Sequence, residues 1–195
     1  MQPISQLVLA STSSYRRELL SRLGLPFEVA APGVDETAQP NEAPQDTALR
    51  LAEAKARAVA PRFPRAIVIG SDQVAVLEGT TLGKPGNHAN AVRQLQAMRA
   101  REVMFHTALC VYNAAGARAD TRVVSFCVRF RDYSDAQIER YLQREQPYDC
   151  AGSARCEGLG IALVAEMRGN DPTALIGLPL IALTEMLAAQ GVQVI

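Results

Sequence analysis

Short apolar runs alternate with helical patterns along most of the chain, and this alternation limits the possible folds more than any other feature. Residues 6–10 and 66–71 are apolar runs of strand length, and each predicts a buried strand. The second run continues beyond Asp72 and Gln73 into the apolar residues 74–77. Strands that alternate with helices are typical of α/β proteins, so α/β is the predicted class.

Five segments carry apolar residues at helical spacing. Asn87 and Ser134 are expected N-caps, and Gln137 stands where it completes a capping box with Ser134. Pro179 is expected in the first turn of the last helix, and Gly24 near the C-cap of the first. The predicted helices cover residues 15–23, 46–60, 87–98, 134–144 and 179–190.

A β-hairpin is predicted in the middle of the chain. Residues 103–112 and 122–131 are extended segments on either side of a turn sequence at 113–116. Because hairpin strands are antiparallel, the sheet is expected to be mixed. A further strand is expected over 160–167, and residues 171–180 are expected to form a rigid apolar loop before the last helix.

Charge and composition exclude several classes of function. The 195 residues include 20 Lys+Arg and 20 Asp+Glu, so the chain lacks the basic footprint of a nucleic-acid binder. Only two His are present, and no two of the four Cys are spaced C-x-x-C, which disfavours a His-rich or zinc-ribbon metal site. No secretory signal or long apolar run is visible, so we expect a reduced cytoplasmic protein that does not bind membranes.

The first candidate site is the hydroxyl-rich turn at residues 11–17. It lies between a predicted strand and a helix N-terminus, where free backbone N–H groups favour an anion. Arg16 and Arg17 would add guanidinium contacts to phosphate, although neighbours on a helix point about 100° apart and so only one is expected to face the site. A capping Ser beside solvated arginines is the alternative.

Two further candidates carry charged side chains. Asp72 is expected at the end of an apolar strand, where it would activate water or bind a divalent cation, unless it only closes a turn. Lys84, in Gly83-Lys84-Pro85, is a phosphate ligand or a plain surface lysine; the spacing excludes a P-loop. Taken alone, Glu53 and Lys55 indicate only a solvated helix.

Other catalytic patterns are absent or weak. Gly158 and Gly160 lack the third glycine of a dinucleotide fingerprint, because Leu163 stands in its place. No G-x-S-x-G is present, which disfavours acyl-transfer chemistry.

Taken together, the motifs resemble the Maf family of nucleoside-triphosphate pyrophosphatases. Their order and spacing are more specific than any one of them, and the resemblance extends over residues 7–187. Within the family they are similar to the branch that hydrolyses 7-methyl-GTP; the dTTP/UTP branch has Asp-Thr where this chain has Asp72-Gln73. The matching motifs are LASTSSYRRELL (9–20), VDET (34–37), RLAEAKA (50–56), GSDQV (70–74), GKP (83–85), CAGSARCEGLG (150–160) and DPTALIGLPL (171–180).

The resemblance implies a two-lobed α/β fold similar to inosine-triphosphate pyrophosphatase, with nucleotide in a central cleft. It implies one such domain over residues 1–195, often as a homodimer, with a Mg²⁺ or Mn²⁺ cofactor. The implied reaction splits the α–β phosphoanhydride of 7-methyl-GTP into 7-methyl-GMP and pyrophosphate, a house-cleaning role against modified nucleotides.

The resemblance also implies a role for individual residues. Asp72 matches the proton acceptor, and Glu36 with Asp72 would hold the metal. Tyr15, Gln73 and Glu157 match positions associated with substrate choice. The phosphate-facing positions are Ser11, Arg16, Arg17, Lys55 and Lys84.

Two alternatives remain open. One is the same chemistry on dTTP or UTP. The other is a non-catalytic nucleotide-binding regulator of septum formation.

Overall fold

The computed structural model describes residues 6–195 and has a mixed α/β architecture, as predicted. The strands are β1 (Leu7–Ala10), β2 (Phe27–Val29), β3 (Ile67–Leu77), β4 (Thr80–Leu82), β5 (Glu102–Asn113), β6 (Arg118–Phe130) and β7 (Val164–Arg168). The helices are α1 (Ser14–Ser21), α2 (Pro44–Val59), α3 (His88–Met98), α4 (Asp135–Glu145), α5 (Pro172–Ile176) and α6 (Leu180–Ala189). Short 3₁₀ helices cover Ala60–Arg62, Ala151–Ser153 and Leu159–Leu163.

The seven strands form one mixed sheet. Six of them lie in the order β2-β1-β3-β5-β6-β7, and β4 pairs with β3. Strand β1 is parallel to both β2 and β3, whereas β4 is antiparallel to β3 and β7 is antiparallel to β6. The hairpin prediction is confirmed, because β5 and β6 are neighbours joined by a short turn.

The chain divides into two compact units. The first contains the described residues up to Gln73 together with Thr107–Val124 and Asp171–Ile195. The second contains Val74–His106 and Ser125–Asn170. The predicted central cleft remains a prediction.

The first unit has a continuous apolar core around β1 and β3. Leu9 on β1 and Ile69 on β3 are fully buried, as are Leu19 and Leu20 on α1. Leu183, Met186 and Leu187 of α6 belong to the same cluster. This core holds fixed the carboxyl end of β1, where α1 begins.

The second unit packs α3 against α4. Leu95 and Met98 of α3 and Ile138 of α4 are fully buried, and the buried Tyr133 hydroxyl donates to the Leu95 carbonyl at 2.8 Å. Asn87 caps α3, and Ser134 forms the predicted capping box with α4. All four cysteines are free thiols, and three of them are buried.

Several element boundaries differ from the sequence predictions. The two apolar runs around Asp72 form one continuous strand, β3. Pro179 is the N-cap of α6 and not part of its first turn, because its backbone is still extended (ψ 96°). Gly24 lies two residues beyond Arg22, the C-cap of α1.

Residues 160–167 are not one strand. Leu159–Leu163 is a 3₁₀ helix and β7 begins only at Val164. The turn closes tightly on Arg155, whose carbonyl accepts from the Gly160 N–H at 3.0 Å. Within residues 6–195, no helix is both long and apolar enough to span a membrane.

Gly70 brings α2 into backbone contact with β3. A Cβ atom at Gly70 would lie 2.1 Å from the Ala52 carbonyl oxygen and 2.9 Å from the Ala56 nitrogen. Ala52 and Ala56 are fully buried, so small side chains line both sides of this contact. Lys55 of α2 is therefore held close to β3 just beyond Gly70.

We predict that Gly70→Ala lowers the free energy of unfolding by roughly 3 kcal/mol, because the added methyl group meets backbone atoms that cannot rotate away. Urea denaturation measures this loss. Gly116→Ala is the matched control, since its Cβ would come no closer than 3.8 Å to another group, and we expect a change within about 0.5 kcal/mol. Equal effects of the two substitutions would contradict the close contact.

Candidate active site

Lys55 is a buried cation between two carboxylates. Its Nζ atom lies 2.6 Å from Asp72 Oδ1 and 2.6 Å from Glu36 Oε1. Lys55 is 3% exposed and Asp72 7% exposed. The expectation of a merely solvated helix is therefore wrong at Lys55, because this residue lies on the same helical face as the buried Leu51 and Val59.

Asp72 lies within a strand and not at its end. Strand β3 continues past it to Leu77, so the expected strand end at residue 71 is wrong. The parallel neighbour β1, however, ends at Ala10, which is paired with Gly70. Asp72 thus projects beyond the carboxyl end of β1, where ligands of α/β proteins are usually bound.

The turn between β1 and α1 is built by its own hydroxyl groups. The Ser13 side chain caps α1 by accepting from the Arg16 N–H at 3.4 Å. The buried Ser11 Oγ accepts from the Ser13 N–H at 3.1 Å. Serine side chains thus occupy two of the backbone N–H groups of this turn, and the predicted anion site there stays a prediction.

Arg16 and Arg17 have different environments. The Arg16 Nε–H donates to the Gly177 carbonyl at 2.8 Å. Desolvation lowers the pKa of Arg16, and the negative charges of Asp72 and Glu36 oppose that shift. Of the two arginines, Arg16 is therefore the one whose charge interacts with Asp72 and Glu36, the two partners of Lys55.

Arg17 is exposed on another part of the α1 surface. It lines a shallow pocket with Glu18 and Ser21 of α1 and with Phe27 and Val29 of β2. Its predicted contact with phosphate stays a prediction.

Glu36 belongs to an irregular segment that Arg50 ties to α2. The Arg50 guanidinium donates to both carboxylate oxygens of Glu42, at 2.6 and 2.8 Å, and to the Thr37 carbonyl at 3.1 Å. These bonds from Arg50 lower the pKa of Glu42 to about 2, so Glu42 stays ionised at neutral pH. Arg50 thus anchors the chain that follows Glu36, at Thr37 and at Glu42.

Gln73 ties β3 to α5. Its Nε2 group donates to Thr107 Oγ1 at 2.9 Å and to the Ala174 and Leu175 carbonyls at 2.9 and 3.1 Å. The amide nitrogen of Gln73 is therefore engaged within the protein, and its predicted role in substrate choice stays a prediction.

Helix α5 itself was missed by the sequence prediction, which expected a loop. Asp171 caps it by accepting from the Thr173 N–H at 3.0 Å, and Pro172 occupies its first turn. An N-cap Asp followed by Pro is a recognised helix start, and this signal was present in the sequence.

Three further predicted site residues are Tyr15, Lys84 and Glu157. Tyr15 is half-buried on α1, and Lys84 is exposed in the second unit. Glu157, also in the second unit, accepts from Arg155 Nε at 3.3 Å. Glu145 supports the same turn by accepting from the Leu159 N–H at 2.9 Å. The nucleotide contacts of these residues stay predictions.

The carboxylates suit a metal ion that arrives with phosphates. Among residues 6–195, no group of three or more His, Cys, Asp or Glu side chains could hold a metal by itself. Glu36 and Asp72 nevertheless converge on one Lys55 nitrogen, so they lie close together. Mg²⁺ is commonly held by one or two carboxylates plus substrate phosphates, and this pair fits that pattern.

The charges of this cluster balance. Two cations, Arg16 and Lys55, face two anions, Glu36 and Asp72. Cationic donors beside a buried carboxylate, beyond the carboxyl end of β1, define an α/β protein with a site suited to polyphosphate chemistry. The comparisons with known proteins identify the family.

The chain belongs to the Maf family: the family described as "Maf-like protein" matches residues 6–190. A protein of Methylobacillus flagellatus named 7-methyl-GTP pyrophosphatase is 65% identical over 97% of this chain and 98% of its own length. Proteins of the same name from Nitrosospira multiformis and Albidiferax ferrireducens are 58% and 57% identical, each over 100% of this chain and 98% of their own lengths.

One solved structure is also similar. The Staphylococcus aureus Ham1 protein matches with a TM-score of 0.47 and 14% identity, over 66% of this chain and 73% of its own.

We predict that Lys55→Met lowers the free energy of unfolding by about 3 kcal/mol, because it leaves the buried Asp72 carboxylate without its counter-ion. Adding Asp72→Asn to this variant should recover about 1 kcal/mol or more, since the uncompensated charge is then gone. Urea denaturation of the two single variants and the double variant measures both effects.

Lys84→Met is the control for loss of a lysine charge, and we expect a change within about 0.5 kcal/mol because Lys84 is exposed. A Lys55→Met variant as stable as the wild type would contradict the buried ion pair. So would a double variant less stable than Lys55→Met alone.

Proposed function

We propose that this protein is a nucleoside triphosphate pyrophosphatase that hydrolyses 7-methyl-GTP to 7-methyl-GMP and pyrophosphate. The observation that carries the proposal is the buried Lys55, held between Asp72 and Glu36 in a chain of the Maf family. The close relatives named 7-methyl-GTP pyrophosphatase support the substrate. The activity would remove a modified nucleotide from the cell.

In this proposal, the cations of the first unit bind the triphosphate. Arg16 uses Nε for the Gly177 carbonyl, so its two Nη groups are the donors that remain for phosphate oxygens. Lys55 supplies a second positive charge and Ser11 a hydroxyl. Arg17 and Lys84 are proposed as further phosphate ligands. Such contacts strengthen as charge builds up on the leaving pyrophosphate, which is how they lower the barrier.

Asp72 orients and deprotonates the attacking water. Its contact with Lys55 runs through Oδ1, so Oδ2 is the oxygen to which water donates. Attack on the α-phosphorus breaks the α–β phosphoanhydride and releases pyrophosphate. Burial of Asp72 and Lys55 fixes both groups before substrate arrives, which reduces the reorganisation that the reaction needs.

We propose Mg²⁺ or Mn²⁺ as cofactor, held by Glu36 and Asp72 together with substrate phosphates. The protein charges in this cluster already cancel, so they do not by themselves neutralise a triphosphate. Held by these residues, such an ion would supply the missing positive charge and would polarise the phosphoryl group.

Recognition of the base is assigned to Tyr15, Glu157 and Gln73. Methylation at N7 gives guanine a positive charge, and an aromatic face attracts such a ring by about 1–2 kcal/mol when water is excluded. The Glu157 carboxylate is an acceptor for the N1–H and N2–H groups of guanine. Gln73 acts by holding α5 in place, through its bonds to the Ala174 and Leu175 carbonyls.

The proposal is tested by pyrophosphate release from 7-methyl-GTP, GTP, CTP, UTP and dTTP. We predict that 7-methyl-GTP has the highest kcat/KM, and that EDTA abolishes turnover until Mg²⁺ or Mn²⁺ is added in excess, because the protein charges alone do not neutralise the triphosphate. The measurement is pyrophosphate formed per enzyme over time.

Three other outcomes would indicate a different substrate, a role without catalysis, or a reaction that needs no metal. A preference for UTP or dTTP would move the protein to the other branch of the family. Tight nucleotide binding without turnover in the presence of metal would favour a regulator of septum formation. Turnover unaffected by EDTA would overturn the proposed metal requirement.

A further inference from the structure

Gly177, just after α5, has a carbonyl group shared by two side chains from distant parts of the chain. This oxygen lies 2.8 Å from Arg16 Nε and 3.0 Å from Ser71 Oγ. Arg16 comes from α1, and Ser71 from β3, immediately before Asp72. One backbone oxygen therefore connects the strand that carries Asp72 to the guanidinium that faces it.

Ser71 is suited to fixing this oxygen. It is fully buried, and its hydroxyl lies 2.8 Å from the Ala108 carbonyl as well as 3.0 Å from that of Gly177. A hydroxyl has a single proton, so the bond is shared between two carbonyls in a three-centre arrangement. The hydroxyl thus holds Gly177 at a set distance from β5, the strand that contains Ala108.

Further hydrogen bonds restrain the segment around Gly177. Gly177 adopts a φ of +123°, and its N–H donates to the Thr173 and Ala174 carbonyls. Asp171 Oδ2 accepts from the Ile181 N–H at 2.8 Å, and Thr173 Oγ1 accepts from the Leu180 N–H at 2.8 Å. The two ends of the turn are thereby locked, and Ser71 acts on the carbonyl between them.

Fixing Arg16 Nε determines where the rest of the guanidinium points, because that group is planar. With Nε engaged, the two Nη groups are held in one orientation, and the side-chain entropy is lost before the ligand binds. A phosphate then meets a preorganised donor pair.

From this geometry we infer that Ser71 is a positioning residue for Arg16, which it holds through the Gly177 carbonyl. The inference rests on the proposed function, in which Arg16 binds phosphate. Ser71 itself touches neither substrate nor metal, so its effect on the reaction should exist only while Arg16 is present.

A double-mutant cycle tests this dependence. Wild type, Ser71→Ala, Arg16→Ala and the double variant are compared by kcat/KM for 7-methyl-GTP and by the dissociation constant for inorganic tripolyphosphate. We predict that Ser71→Ala reduces both kcat/KM and tripolyphosphate affinity about 3- to 10-fold in the wild type, but less than about 2-fold in the Arg16→Ala background.

Tyr133→Phe is the matched control for loss of a buried hydroxyl. The Tyr133 hydroxyl also donates to a backbone carbonyl, that of Leu95 at 2.8 Å, but it lies in the second unit. We expect Tyr133→Phe to lower the melting temperature by a similar amount to Ser71→Ala while kcat/KM stays unchanged. A purely structural role for Ser71 would make the two variants behave alike.

Equal losses from Ser71→Ala in both backgrounds, or no loss in either, would overturn the inference. Failure of the wild type to hydrolyse 7-methyl-GTP would instead count against the proposed function. In that case the double-mutant cycle on tripolyphosphate affinity still tests the positioning role of Ser71. Coupling between Ser71 and Arg16 supports that role. Additive effects, or no binding of tripolyphosphate, overturn it.

Discussion

The buried ion pair between Lys55 and Asp72 is the interaction on which the rest of the site depends. A lysine nitrogen taken out of water needs counter-charge, and Asp72 and Glu36 provide it at 2.6 Å each. The pair forms because Gly70 lets α2 lie directly against β3. Lys55 on α2 therefore meets Asp72 on β3. A backbone contact in the fold thus decides which charges meet in the site.

The surrounding hydrogen bonds hold the other charged groups around this pair. Arg50 anchors the irregular segment that carries Glu36. The Gly177 carbonyl holds Arg16, and Gln73 holds the helix that precedes Gly177. These supports come from segments far apart in the chain, yet all of them belong to the first unit. Preorganisation of this kind is expected where charge develops during a reaction.

Periodicity and capping chemistry were enough to predict most of the helices and strands. Asn87 and Ser134 were recognised as N-caps from local sequence, because a cap depends on residues only three positions away. The helix itself places Lys55 on the same face as Leu51 and Val59, but which group meets it there depends on a glycine in the strand that lies beside the helix. Which of Arg16 and Arg17 faces Asp72 likewise depends on Gly177, more than 150 positions further along the chain. The strand expected over 160–167 was wrong for a local reason, since its first residues close a turn on the nearby backbone of Arg155.

In the proposed reaction, Asp72 activates water while the cations beside it bind phosphate. The direct measurement compares wild type and Asp72→Asn by pyrophosphate release from 7-methyl-GTP with Mg²⁺ and by affinity for inorganic tripolyphosphate. We predict that turnover falls about 100- to 10,000-fold, while tripolyphosphate binds as tightly as before or more tightly, because a negative charge has been removed. Wild-type turnover in Asp72→Asn would show that Asp72 does not activate the attacking water.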